Sequence, residues 1–273
     1  MSQVTAEPNR LERRFAELAA AKRKAFVVYI CAGDPDLATT EALIPALDRA
    51  GADVIELGIP YSDPMADGPA IQAACERALA SGTTVRGVLA TIREVRRHSD
   101  VPLLLFTYLN PILAYGAERF GRDARAAGAD GVLLLDLPPE EDHEVFDQLR
   151  AAGLATVCLA APNTERHRRT MLAGESRGFL YYVCRYGVTG EQKELPKDLE
   201  RQLRDLKRRA PVPVCIGFGI STPEQAALAA RYGDGVVVGS HLVRMIERKA
   251  GTKGLVKAVA KRVAELARAV HGA

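Results

Sequence analysis

The chain has 273 residues, 48% of them hydrophobic and 26% charged, with a net charge of +3. That balance excludes a disordered chain and fits an ordinary globular protein. Its basic residues are spread among apolar positions (Arg93, Arg96, Arg97; Arg204, Lys207, Arg208, Arg209), Trp is absent and aromatics are only 5%, so a nucleic-acid surface is excluded too.

In chain order, helical material at Asn9–Lys22 precedes the first apolar run. Phe26–Cys31 reads as a strand and Thr39–Ala50, stopped at Gly51, as the helix behind it. Asp53–Leu57 is the second strand; after an extra segment, Thr84–His98 is its helix. Leu103–Thr107 is followed by Ala117–Ala127, stopped at Gly128, and Gly131–Leu135 by Glu140–Ala152, stopped at Gly153. Glycine just past a periodic run is a helix C-terminal signal. The phrase Ala-Gly-Ala-Asp occurs twice as such a stop, at Ala50–Asp53 and Ala127–Asp130. Further strands are predicted at Ala155–Leu159, Phe179–Val183, Val214–Gly217 and Gly235–Val238. Thr222-Pro223-Glu224 opens a helix with Thr as cap and Pro in the first turn. Lys253–Val270 adds a last helix.

The strand runs are rich in Val, Ile and Leu without polar alternation, as strands buried on both faces are. Strand–helix repeats at this spacing require a parallel sheet with right-handed crossovers. Eight strands exceed the usual doubly wound sheet, so the expectation is α/β class, a single (β/α)8 TIM barrel with extra N- and C-terminal helices, one domain over residues 1–273.

The five cysteines (Cys31, Cys75, Cys158, Cys184, Cys215) form no CxxC, and the five histidines show no ligand spacing. Buried thiols in a reducing compartment are expected, with no metal site. The first residues, MSQVTAEPNR, are polar, and no apolar run reaches 18 residues. A cytoplasmic protein that does not enter a membrane is the expectation.

Working residues of such barrels sit at the C-terminal strand ends and the loops beyond. Glu56 stands in an apolar strand one step before its end. It is either salt-bridged to a neighbouring strand or a general acid–base with a raised pKa. Asp67 ends a proline-rich loop and is either a helix cap or a second carboxylate of the same pocket. After the sixth strand comes Arg185-Tyr186-Gly187-Val188-Thr189-Gly190, a weak signal by itself. Gly217-Phe218-Gly219-Ile220-Ser221 and Gly239-Ser240 follow strands seven and eight, the usual phosphate site of these barrels. A barrel enzyme acting on a small phosphorylated molecule by carboxylate acid–base chemistry follows from position alone.

The run from Gly51 through Asp67-Gly68-Pro69-Ala70-Ile71-Gln72 resembles the signature of the tryptophan synthase α-subunit family. Agreement continues at Ala32-Gly33-Asp34-Pro35, Tyr108-Leu109-Asn110-Pro111, Asp136-Leu137-Pro138, Gly187-Val188-Thr189-Gly190, Gly217 to Ser221 and Gly239-Ser240. The resemblance implies a lyase that splits indole-3-glycerol phosphate into indole and glyceraldehyde 3-phosphate. It implies Glu56 as acid–base and Asp67 as the group holding the indole N–H. Tyr29, Ile71, Tyr108, Leu133 and Phe218 would surround the indole, and Tyr181 would position the substrate. Thr189 would contact Asp67 as its loop closes. Gly190, Gly219, Gly239 and Ser240 would bind the phosphate. It further implies an αββα complex, with Asp63, Pro64 and Pro138 facing a β subunit. Pyridoxal phosphate would belong to that partner, and this chain needs no cofactor.

The sequence departs from the family where Cys31, Cys184 and Tyr186 stand in place of Ser or Thr, and His241 is unusual after Gly239-Ser240. A surface histidine is expected there. The loops Ile59–Pro69 and Arg185–Pro196, rich in Gly, Pro and charge, are expected to stand mostly open in the isolated chain. Two alternatives stay open: a catalytically weak subunit that mainly activates a β partner, and a stand-alone lyase that releases indole. Another phosphate-binding barrel of the same pathway would need a Lys or Cys acid at a strand end, and no Lys falls in a predicted strand.

Overall fold

The computed structural model describes residues 8–184, 197–217 and 219–273. Tyr186, Thr189, Gly190 and Phe218 lie outside the described residues.

Eight parallel strands close into a barrel: β1 (Ala25–Cys31), β2 (Val54–Gly58), β3 (Leu103–Thr107), β4 (Gly131–Leu134), β5 (Ala155–Ala160), β6 (Leu180–Val183), β7 (Val214–Gly217) and β8 (Gly235–Val238). Closure is the pairing of β8 with β1, Val28 opposite Val238. Each strand ends within about one residue of its expected place, because runs buried on both faces leave little else to decide. The helices are α1 (Arg10–Ala20), α2 (Leu37–Arg49), α3 (Pro69–Ala80), α4 (Val85–Val95), α5 (Leu109–Tyr115), α6 (Ala117–Ala127), α7 (His143–Ala151), α8 (Arg166–Glu175), α9 (Lys197–Arg209), α10 (Pro223–Tyr232), α11 (Ser240–Lys249) and α12 (Leu255–His271).

Two helices are additional to those expected behind the strands, and a third starts later than expected. The extra segment after β2 is the helix α3, and α5 follows β3 where none was expected. α7 begins at His143 and not at Glu140, because the Asp142 carboxylate accepts the N–H groups of Glu144 and Val145 and so fixes the start.

Side chains of the strands divide by alternation into two apolar layers. Val27, Tyr29, Cys31, Val54, Leu104, Phe106, Leu133, Val157, Cys215 and Val237 pack inside the barrel, while Val28, Ile30, Ile55, Leu57, Leu105 and their counterparts meet the helices. Leu11, Phe15 and Leu18 of α1 plug one end, with the Phe15 and Phe179 rings 5.3 Å apart. Across the other end lies α3, whose Ala74, Cys75 and Ala78 are small enough for close approach.

The repeated Ala-Gly-Ala-Asp phrase does more than stop helices. Gly51 and Gly128 take φ of 99° and 104°, where a glycine is favoured. The following aspartate then fastens the strand next door. Asp53 accepts the Phe26 N–H at 2.8 Å, and Asp130 accepts the Leu103 N–H at 3.0 Å. Asp234 repeats this on Val214 at 3.0 Å, and the Ser176 hydroxyl accepts the Cys158 N–H at 3.0 Å. Each odd strand is thus fastened by the turn that leads into the next even one.

Candidate active site

The register places Glu56 between Tyr29 of β1 and Leu104 of β3, pointing into the barrel. It is 1% exposed, and its Oε1 is buried with no hydrogen-bond partner among the described residues. No cation pairs with it there, so the salt-bridge reading fails. Burial alone pushes its pKa from 4.5 up to about 8, so the carboxyl holds its proton at neutral pH.

Asp67 does not cap α3. The cap is Gly68, and the Asp67 carboxylate instead accepts the Tyr108 hydroxyl at 2.9 Å. Burial raises its pKa to about 6, against the opposing pull of that hydrogen bond. Tyr108 completes a brace around the loop. Its oxygen accepts the Ala66 N–H at 3.1 Å, and its ring lies 5.2 Å from that of Tyr61. Gln72 on α3 donates to the Asp67 carbonyl at 3.0 Å. The loop from Ile59 to Pro69, expected to stand open for want of anchors, is therefore held by side chains from the start of α5 and from α3. Composition hid this, because the anchors come from outside the loop.

The Ala32-Gly33-Asp34-Pro35 block has a matching task. Buried Asp34 receives Arg77 of α3 through two bonds of 2.8 and 2.9 Å, and Arg77 reaches on to Glu247 of α11 at 2.9 Å. One guanidinium ties the β1 loop to the helix that follows Asp67.

Around Glu56 the inner layer supplies Tyr29, Phe106 and Leu133, with Ile71 and Tyr181 packed on it. Tyr29 meets Phe106 edge-on at 5.0 Å. A side chain at Gly58 would overlap the Tyr29 hydroxyl, and one at Gly217 the Tyr181 hydroxyl. Those glycines let both tyrosines lie flat across strand ends. Burial raises the pKa of both, and each lies within the field of both carboxylates. Tyr108, expected on the indole wall, has its hydroxyl committed to Asp67. Phe106 was not foreseen, although two-residue alternation from Leu104 points to it.

Gly217 pairs with Val237, so the loops after β7 and β8 leave adjacent strand ends. Gly219 has φ of 71°, and the space its Cβ would fill is empty. Gly239 begins α11 without a side-chain cap, leaving the first N–H groups, from Ser240 onward, at the positive end of the helix dipole. Gly219, Gly239 and Ser240 are thereby candidates for a cup that holds an anion; Gly190 lies outside the described residues.

Asp63 is exposed, and Pro64 and Pro138 are half-buried. Met65 beside them is 90% exposed, an apolar residue that the charge pattern of the loop concealed. Both loops bond to the start of α5: Asp136 accepts the Leu109 N–H at 2.8 Å, and Asn110 donates to the Tyr61 hydroxyl at 2.8 Å. His241 is not a surface residue: it is half-buried, and its Nε2 accepts Arg262 Nε–H at 3.0 Å. All five cysteines are buried and free.

The family model described as tryptophan synthase alpha chain matches residues 15–271. The chain belongs to this family. It is similar to the alpha chain of Geotalea daltonii, 50% identical over 242 residues that cover 89% of this chain and 92% of that one. With the alpha chain of Pelobacter propionicus it shares 49% over 264 residues, covering 97% and 98%. A crystal structure of the alpha subunit from Legionella pneumophila superposes with a TM-score of 0.89 at 38% identity, covering 97% of this chain and 99% of that one. A chain of tryptophan synthase from M. tuberculosis superposes at 0.85 with 33% identity, covering 97% and 100%. Membership makes the chain a lyase of tryptophan biosynthesis that cleaves indole-3-glycerol phosphate. No helix among the described residues is long and apolar enough to cross a membrane.

Proposed function

We propose that Glu56 is the acid–base of the cleavage of indole-3-glycerol phosphate and that Asp67 stabilises the charge formed on the indole. The observation that carries this is a buried carboxyl whose Oε1 has no hydrogen-bond partner among the described residues and whose pKa burial pushes up to about 8. A carboxyl that enters the reaction protonated can act in both directions. It gives its proton to the indole carbon bearing the side chain, and the ring nitrogen becomes cationic. The resulting carboxylate takes the proton of the neighbouring glycerol hydroxyl. The electron pair of that O–H bond forms the aldehyde, the carbon–carbon bond breaks, and its electrons return the indole to neutrality. Glu56 ends the cycle as it began, so no cofactor of this chain is consumed.

Asp67, with a pKa near 6, is largely ionised at neutral pH and faces the developing cation as an acceptor for the ring N–H. Tyr29, Ile71, Leu133, Tyr181 and Phe218 form the indole wall, with Tyr108 behind Asp67. Gly190, Gly219, Gly239 and Ser240 hold the phosphate, and Thr189 contacts Asp67 on closure. Asp63, Pro64 and Pro138, with Met65, face a β subunit in an αββα complex, and pyridoxal phosphate chemistry belongs to that partner. Five free buried thiols suit the reducing cytoplasm.

The test is Glu56→Gln. Indole release is expected to fall by roughly two to four orders of magnitude while the substrate still binds. A variant retaining a tenth of the parent rate would overturn the assignment.

A further inference from the structure

We propose that Arg262, on α12 and outside the cup, is a positioning residue for the substrate phosphate, clamping the loop after β7 and the start of α11 into one frame. The proposal rests on the reading of Gly219, Gly239 and Ser240 as the phosphate cup.

Every arm of the guanidinium is committed. Nη2 donates to the Ser221 carbonyl at 2.5 Å, Nε donates to His241 Nε2 at 3.0 Å, and Nη1 pairs with Glu265 at 2.7 Å. Ser221 lies two residues after Gly219, and His241 is the residue after Ser240. One planar group therefore reaches both walls of the cup, while its own helix packs against α10 and α11.

The rest of the loop shows why the Ser221 carbonyl matters. The Ser221 N–H and hydroxyl both go to Gln225 Oε1, at 2.9 and 3.1 Å, and the Thr222 N–H goes to the same oxygen at 3.2 Å, within the capping box of α10. The carbonyl is the remaining polar group of Ser221, and Arg262 takes it. With all three groups of Ser221 fixed, the Gly219–Ile220 backbone is presented from a rigid base. On the other wall, His241 Nε2 must be unprotonated to accept from Arg262. Burial, and then the Arg262 charge, lower the His241 pKa, which keeps it so. The histidine that departs from the family pattern is thus half of a clamp. Glu265 balances much of the Arg262 charge, so the residue acts by geometry and not as a cation facing the phosphate. A lysine carries the charge on one nitrogen without the rigid fork, so it does not hold both walls in this geometry.

The experiment measures kcat and KM for indole-3-glycerol phosphate in the full-length chain, together with inhibition by each product, glyceraldehyde 3-phosphate and indole. Cleavage by the parent chain establishes the lyase reading separately. For Arg262→Met, KM and the glyceraldehyde 3-phosphate inhibition constant are expected to rise about tenfold, the equivalent of one charge-assisted hydrogen bond. kcat and indole inhibition are expected to stay within about twofold. Arg262→Lys is expected to behave like Arg262→Met, because charge without the fork does not clamp. His241→Ala removes one wall alone; it is expected to raise KM about threefold, as the loss of a weaker hydrogen bond would, and serves if the Arg262 variants fail to fold. Parent-like KM in these variants overturns the proposal. So does an equal loss for phosphate-bearing and phosphate-free ligands, and so does full rescue by Arg262→Lys.

Discussion

At the scale of the residue, Glu56 shows a conflict between stability and chemistry. Between pH 4.5 and about 8 the unfolded chain has released this proton and the folded chain has not. The folded state therefore binds more protons, and stability from this group falls as pH rises through that window. Above about pH 8 both states are ionised, and the full penalty of a buried carboxylate is present. Glu56→Gln is accordingly expected to be more stable than the parent by a few kcal/mol above pH 8, at roughly 1.4 kcal/mol per unit of pKa shift, with little difference near pH 4.5. Thermal melts of both proteins across pH 4.5 to 9 check this; a constant difference would show that Glu56 is not held protonated. Much of this was legible beforehand, since a lone glutamate in an apolar strand permits few readings. The partner of Asp67 was not legible, because Tyr108 lies 41 residues away and meets it only through the closure of β2 against β3.

At the scale of the element, the strands were readable and two helices were not. α3 has five alanines among its 12 residues and so presents little apolar contrast to a search for periodicity. α5 is seven residues long with Pro111 in its first turn, where proline is tolerated but looks like a stop. The aspartates before the even strands read as the tail of a helix stop, and their real partners are backbone groups one strand away. Asp130 is the most burdened of them. It is fully buried, accepts the Leu103 N–H, and pairs with Arg96 at 2.8 Å and Arg10 at 3.2 Å. Asp130→Ala removes the buried carboxylate that Arg96 and Arg10 share and leaves the Leu103 N–H without its partner. We expect a loss of about 3–5 kcal/mol, measured by urea unfolding, with kcat of the remaining folded protein little changed. A loss below 1 kcal/mol would mean that water replaces the carboxylate.

At the scale of the whole molecule, chemistry is gathered at one mouth of the barrel and fastening at the other. The Asp67 loop is braced, so a β partner has less to order there than its composition implied. Its surface nevertheless carries a 90% exposed methionine, Met65, between the half-buried Pro64 and exposed Ala66. Covering that apolar side chain is worth up to roughly 2 kcal/mol. We expect saturating β subunit to accelerate indole release by the chain and Met65→Ser to raise the β concentration needed. An unchanged rate with β subunit would support the stand-alone alternative. The other mouth has a consequence for how the chain can be divided. Its four fastenings, from Asp53, Asp130, Ser176 and Asp234, each join an odd strand to the even strand after it. None of these four joins an even strand to the next odd one. The barrel is thereby marked out as four two-strand segments, each stitched within itself. New chain ends opened between segments, in the turn before β3 or before β5, keep every stitch inside one piece. Ends opened beside Gly51 or Gly128 separate an aspartate from the strand it holds, so a rearranged gene that cuts there inherits a barrel with a loose stave.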